Sequence, residues 1–141
     1  MYVQSYKDLD VYKISRKLAK DVFNLTENFP KDEKYSLTSQ IRRSSRSVGA
    51  QIAEAWAKRR YPAHFISKLT DADGEQQETQ HWIDISMDCG YIDISQQKAL
   101  LDQCLSIGKM LNVMISKASQ FCGKSVKEDS AWYQLEEIEE G

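Results

Sequence analysis

Apolar residues recur along this chain at intervals of three and four, the spacing that places them on one side of an α-helix, and strand-like alternation does not persist over any useful length. The pattern predicts four helices, over about residues 8–28, 32–60, 62–89 and 96–121. In the first, Val11, Ser15, Leu18, Val22, Leu25 and Phe29 share a stripe, with Tyr12, Ala19 and Phe23 beside it. Phe29-Pro30 closes it, because a residue before proline is pushed out of the α region. The second begins near Asp32 and Glu33, two carboxylates that favour the positive end of a helix, and runs to about Arg60. Pro62 suits a first helical turn, so the third runs from there to Cys89, with Gly90 as its stop. The fourth, capped by Ser95, carries Leu101, Cys104, Gly108, Leu111, Ile115 and Ala118 in one row and Leu100, Ile107, Met114 and Phe121 in another. Gly123 ends it. Long amphipathic helices joined by short connections predict an all-α, antiparallel up-down-up-down four-helix bundle over residues 1–123. A tail over 124–141 follows, with Trp132, Tyr133, Leu135 and Ile138 as its apolar content.

The second helix carries two faces. Leu37, Ile41, Ser45, Val48, Ile52, Ala55 and Trp56 form the core stripe. About a quarter turn away, Gly49, Ala53 and Ala57 repeat every fourth residue. A glycine inside a helix costs roughly 1 kcal/mol relative to alanine, so its alignment with two alanines points to a neighbour whose backbone comes close, and this stripe is the expected oligomer interface. In the third helix Gln76 and Thr79 interrupt the row Phe65, Leu69, Ala72, Ile83, Met87. An antiparallel hairpin about Tyr61 sets them level with Ser44, Ser45 and Val48, which predicts a buried hydrogen-bonded serine–glutamine–threonine layer. The core is expected to depend on Ile41, Val48, Ile52, Leu101, Leu111 and Ile115.

A length of 141 residues suits one domain. Six glycines, two prolines, 41% hydrophobic and 28% charged residues suit a helical globular protein. No apolar run is long enough to span a bilayer and the first residues are no signal peptide, so the expectation is a cytoplasmic protein with no membrane partner. Cys89, Cys104 and Cys122 are odd in number and lack a metal-type spacing, which predicts reduced core residues.

The net charge of −2 is unevenly spread. Residues 125–141 hold Lys127 against Glu128, Asp129, Glu136, Glu137, Glu139 and Glu140, a net −5, which leaves +3 for the remainder. Between Lys31 and Arg60, eight cations face three anions. Arg42, Arg43, Arg46, Lys58, Arg59 and Arg60 are therefore the candidate nucleic-acid-binding residues, contacting phosphates without reading bases. Glu78-Thr-Gln-His81 has the E-x-x-H spacing of di-iron bundles, but His64 lacks the matching glutamate and no second copy exists. No nucleophile elbow, P-loop or zinc-protease motif occurs. No catalytic residue, metal or cofactor is expected. Asp71, Asp73, Glu75 and Glu78 form an acidic cluster that suits a solvated face or a partner for the arginines.

Asn28-Phe-Pro, the run from Tyr35 and Leu37-Thr-Ser-Gln-Ile-Arg-Arg to Ile52-Ala-Glu, then Glu78-Thr-Gln, Cys89-Gly-Tyr and Ile107-Gly-Lys-Met-Leu resemble the bacterial four helix bundle protein family over about residues 5–122. That family includes proteins encoded by intervening sequences in 23S rRNA genes and is similar to the accessory variability determinant of diversity-generating retroelements. Departures are Ala55 for a common glycine, Arg46 for a small or apolar residue, and Ala72-Asp73 for a common Gly-Ser. The resemblance implies a five-fold barrel, hence a homopentamer, and, for the retroelement relative, binding of a reverse transcriptase and of nucleic acid through basic surface. A ring agrees with a second packing face, since each subunit must present one face to a different face of the next. Two functions follow. One is a non-enzymatic, homo-oligomeric accessory that binds RNA or DNA through its basic second helix. The alternative is a protein-interaction scaffold with no nucleic-acid role, in which the arginines pair with the acidic cluster.

Overall fold

The computed structural model of the chain describes residues 3–122. Ser5 opens it with a reciprocal capping box to Asp8 around a 3-10 turn, Tyr6–Asp8, after which α1 spans Asp10–Thr26. A second 3-10 turn, Lys31–Glu33, leads to α2, Leu37–Ala57. Helices α3, Pro62–Asp88, and α4, Ile94–Ser116, follow, and a single turn, α5, Ala118–Phe121, ends the described chain. Gly123, expected to end the fourth helix, and the tail over 124–141 with its apolar residues lie outside the described residues.

Four boundaries differ from the sequence-based expectation, each for a local reason; the fourth helix, expected to run to Phe121, stops at Ser116 because Lys117 leaves the helical region at φ −108° and ψ 25°. Helix α2 starts at Leu37 rather than near Asp32 because Ser36 leaves the helical region, and the Glu33 carboxylate accepts from the Ser36 hydroxyl at 2.8 Å and the Leu37 amide at 3.3 Å. It stops at Ala57, so Lys58–Arg60 form the turn into α3. Helix α4 is capped by Asp93, not Ser95: Asp93 accepts from the Gln96 amide while Gln96 reaches back to the Asp93 amide. Gly90 stops α3 as predicted. Its φ of +76° suits glycine, and the Tyr91 amide bonds to Ser86 O while the Gly90 amide bonds to Met87 O, which closes a Schellman motif.

The four long helices form a bundle in which α1 packs on α2 and α4, and α3 on the same two. Contacts between neighbours run in opposite sequence directions. Glu54 meets Lys68 and Arg43 meets Glu78 across α2 and α3; Asp84 meets Gln97 and Gln76 meets Gly108 across α3 and α4. Antiparallel packing produces that order. Leu18, Val22, Ile41, Val48, Ile52, Phe65, Leu69, Ile83, Ile107 and Leu111 meet at the centre, all fully buried. On α4 the buried face is Leu100, Cys104, Ile107, Gly108, Leu111 and Met114, so Leu101 and Ile115, expected in the core, sit at its margin.

The predicted polar layer is divided between two interfaces. Ser44 and Thr79 hydrogen-bond at 2.8 Å across α2 and α3, both fully buried. Gln76 is one face further round and faces Gly108 of α4, while its amide donates to Asp73 at 2.9 Å and its carbonyl accepts from Gln80 at 2.7 Å, both on α3 itself. A Cβ on Gly108 would lie 3.0 Å from Gln76 Nε2, so glycine there lets the helices close over this relay. Ser45 takes no part, since its hydroxyl donates to Arg42 O. Cys104 and Cys122 are buried as expected, whereas Cys89 is exposed at the end of α3.

Candidate nucleic-acid interface

Helix α2 and the turn that follows it present their cations in two groups rather than one. At a rise of ~1.5 Å per residue, the twelve residues from Arg46 to Lys58 separate them by about 18 Å. The first group is built on α1. Arg42 Nε donates to Thr26 Oγ1 at 2.7 Å and its Nη2 to Phe23 O at 3.4 Å, while the guanidinium carbon lies 4.4 Å from the Phe23 ring centre. A cation at the last turn of α1 complements the negative helix end, and these contacts leave the rest of the guanidinium fork for a ligand. Arg46 is exposed, 5.7 Å from the same ring. Phe23 thus orders two arginines at once.

Arg43 differs. It donates to Glu78 at 2.7 Å and Glu75 at 3.3 Å, on α3, and these carboxylates raise its pKa. Glu78 also accepts from the Trp82 indole at 3.0 Å, and that bond and Arg43 lower its pKa. Half of the Arg43 side chain is exposed, so the pair adds about 0–1 kcal/mol at most. Asp73 instead accepts from Gln76 and Gln77.

Around the first group lies an open groove of about 610 Å³, lined by Lys34, Tyr35, Thr38, Ser39, Arg42, Arg43, Arg46, Ser47 and Ala50, without a carboxylate. It adjoins a second one at the α1–α2 turn through Lys34, Thr38 and Arg42, which adds Lys31 and Asn28 and also one carboxylate, Glu27. Hydroxyls interleaved with cations are the donor set that phosphate oxygens require. Lys34 and Tyr35 were not among the sequence candidates. Tyr35 is 85% exposed, with Lys34 Nζ 5.3 Å from its ring centre.

The second group, beyond the end of α2, is organised by Trp56. Arg59 lies over that indole at 3.7 Å and donates to Trp56 O at 2.9 Å. Lys58 caps the helix, and Arg60 is exposed in the turn.

In the small-residue stripe, the close neighbour of Gly49 belongs to the same chain. A Cβ there would lie 3.1 Å from Ser15 Oγ and 3.4 Å from the Tyr12 ring, both on α1. The Ser15 hydroxyl is itself held by Tyr12 O at 2.7 Å. Ala53 lines a shallow groove of about 340 Å³ between α1 and α2, and Ala57 is exposed.

Among the described residues no three His, Cys, Asp or Glu side chains gather as a metal site. The Glu78 of the E-x-x-H motif is occupied by Arg43 and Trp82, and His81 is exposed. Burial pushes the Cys104 thiol up to about 12, so it stays protonated and is no nucleophile at neutral pH. No helix among the described residues is long and apolar enough to cross a membrane.

Comparison with known proteins gives two findings. A family model described as 23S rRNA-intervening sequence protein matches residues 7–113. A crystal structure of a protein of unknown function from the S23 ribosomal protein family of Bacteroides thetaiotaomicron is 31% identical, with a TM-score of 0.68 over 75% of this chain and 95% of that one. No curated protein matches.

Proposed function

The chain belongs to the 23S rRNA-intervening sequence protein family, and from that premise we propose that it is a non-enzymatic, homo-oligomeric accessory that holds nucleic acid by its phosphates. The observation that carries this reading is the groove at the start of α2, where Lys34, Arg42, Arg43 and Arg46 line one surface without a carboxylate among them. Lys58, Arg59 and Arg60 form a separate cationic end. Phosphate contacts of this kind position a nucleic acid without reading its sequence. A second reading, a protein-interaction scaffold, draws support from Arg43, whose acidic partners lie in its own chain.

Residues 125–141 bear a net −5, opposite in sign to the cations of the groove. Deleting them is expected to strengthen retention of RNA and DNA in a low-salt filter-binding assay. If neither the intact nor the shortened chain retains either polymer, the scaffold reading stands instead. Should protein be the partner, a reverse transcriptase is the candidate that the family resemblance supplies.

For the oligomer, five subunits is the number the same resemblance supplies, and Ala53 with Ala57 is the part of the small-residue stripe not used up inside the subunit. Ala53→Leu projects bulk from the α1–α2 surface and leaves the buried core of α2 untouched. Light scattering is expected to give an oligomer for the natural chain and a smaller species for the variant; a monomeric natural chain, or an unchanged mass, contradicts the assignment.

A further inference from the structure

Tyr35 is the most exposed large apolar-bodied side chain among the described residues, and it stands at the lip of the basic groove rather than on a bare face. It occupies the turn just before α2, off the core stripe, where no packing demand calls for an aromatic ring. Lys34 lies beside the ring, and Thr38, Ser39, Arg42 and Arg46 continue along the same surface. A phosphate chain following those cations would pass its bases over the tyrosine.

We propose that the groove is built for an unpaired strand, with one base stacked on Tyr35 while Lys34, Arg42 and Arg46 hold the flanking phosphates. In a duplex both faces of each base are covered by neighbouring bases, so an exposed ring gains nothing from it. An unpaired base offers a free face, and an aromatic side chain receives it whatever its identity. Cations alone do not discriminate in this way. The proposal rests on the phosphate-binding reading and adds to it the class of nucleic acid.

The test compares a short single-stranded RNA with the same RNA annealed to its complement, bound by the full chain at low salt and followed by fluorescence anisotropy. The single strand is expected to bind roughly tenfold more tightly, as one stacked base contributes. Tyr35→Ala should lose that preference by weakening only the single-strand complex, with duplex affinity and the salt dependence unchanged. Tyr35→Phe should keep it. Equal affinities for the two RNAs, or a Tyr35→Ala chain that binds the single strand as the natural one does, overturn this inference and leave phosphate binding intact. Failure to bind either RNA overturns both.

Discussion

Phe65→Ala is expected to lower the unfolding free energy by about 3–5 kcal/mol, a large share of the roughly 5–15 kcal/mol available to a domain. Phe65 is fully buried near the start of α3, and its ring lies 5.8 Å from that of Phe121 on α5. Removing it opens a cavity between the third helix and the end of the described chain. Leu111→Ala, equally buried on α4, is expected to cost about 2–5 kcal/mol. Leu101→Ala and Ile115→Ala should fall below that range, since both residues keep solvent contact. Urea denaturation measures all four. If Leu101→Ala proves as costly as Leu111→Ala, the face that α4 turns to the core is misassigned.

Arg42→Ala combined with Arg46→Ala is expected to weaken single-stranded RNA binding roughly 10- to 100-fold at low salt and to flatten its log–log salt dependence by about 1.4, which is 0.7 for each phosphate no longer neutralised. The two arginines share Phe23 as a platform, so their removal empties the middle of the groove together. Arg42 also bonds to Thr26, but the Thr26 hydroxyl still donates to Val22 O at 2.8 Å without it, and the bundle should remain folded. Circular dichroism checks that point. Arg43→Ala is expected to do less, because that guanidinium is shared with Glu75 and Glu78.

Local signals made most of the fold legible. Pro62 at the start of α3 and Gly90 at its end act within one turn, and the stripe Val11, Ser15, Leu18, Val22 of α1 follows a single period. The start of α2 was not legible from periodicity, because the apolar pattern does not register a cap made from outside the helix by Glu33. Asp93 was available as Asp-x-x-Gln, a capping-box spacing, yet Ser95 nearby suits a cap equally well by type. On α4 two adjacent apolar rows compete. The choice between Leu100 and Leu101 is made by how the helix rolls on α3, where Gly108 meets Gln76.

The site was less legible than the fold, for a reason of distance. Arg42, Arg43 and Arg46 look alike in sequence, and their difference comes from partners 16 to 35 residues away: Thr26 and Phe23 for the first, Glu75 and Glu78 for the second. Gly49 pointed to a close backbone, whereas what comes close is the Ser15 hydroxyl and the Tyr12 ring of the same chain, contacts across α1 that helical periodicity does not register. Lys34 and Tyr35 lie before the helix proper, where no periodicity marks them. The signal available was their departure from the core stripe beside a run of cations.

The salt dependence of RNA binding tests phosphate binding most directly. Affinity of the full chain for single-stranded RNA, measured across a series of monovalent salt concentrations, is predicted to fall along a straight log–log line. With Lys34, Arg42 and Arg46 each neutralising a phosphate, the slope should be about −2 per subunit engaged. An affinity indifferent to salt, or no binding at the lowest salt, would contradict phosphate binding and assign these cations to the structure of the bundle alone.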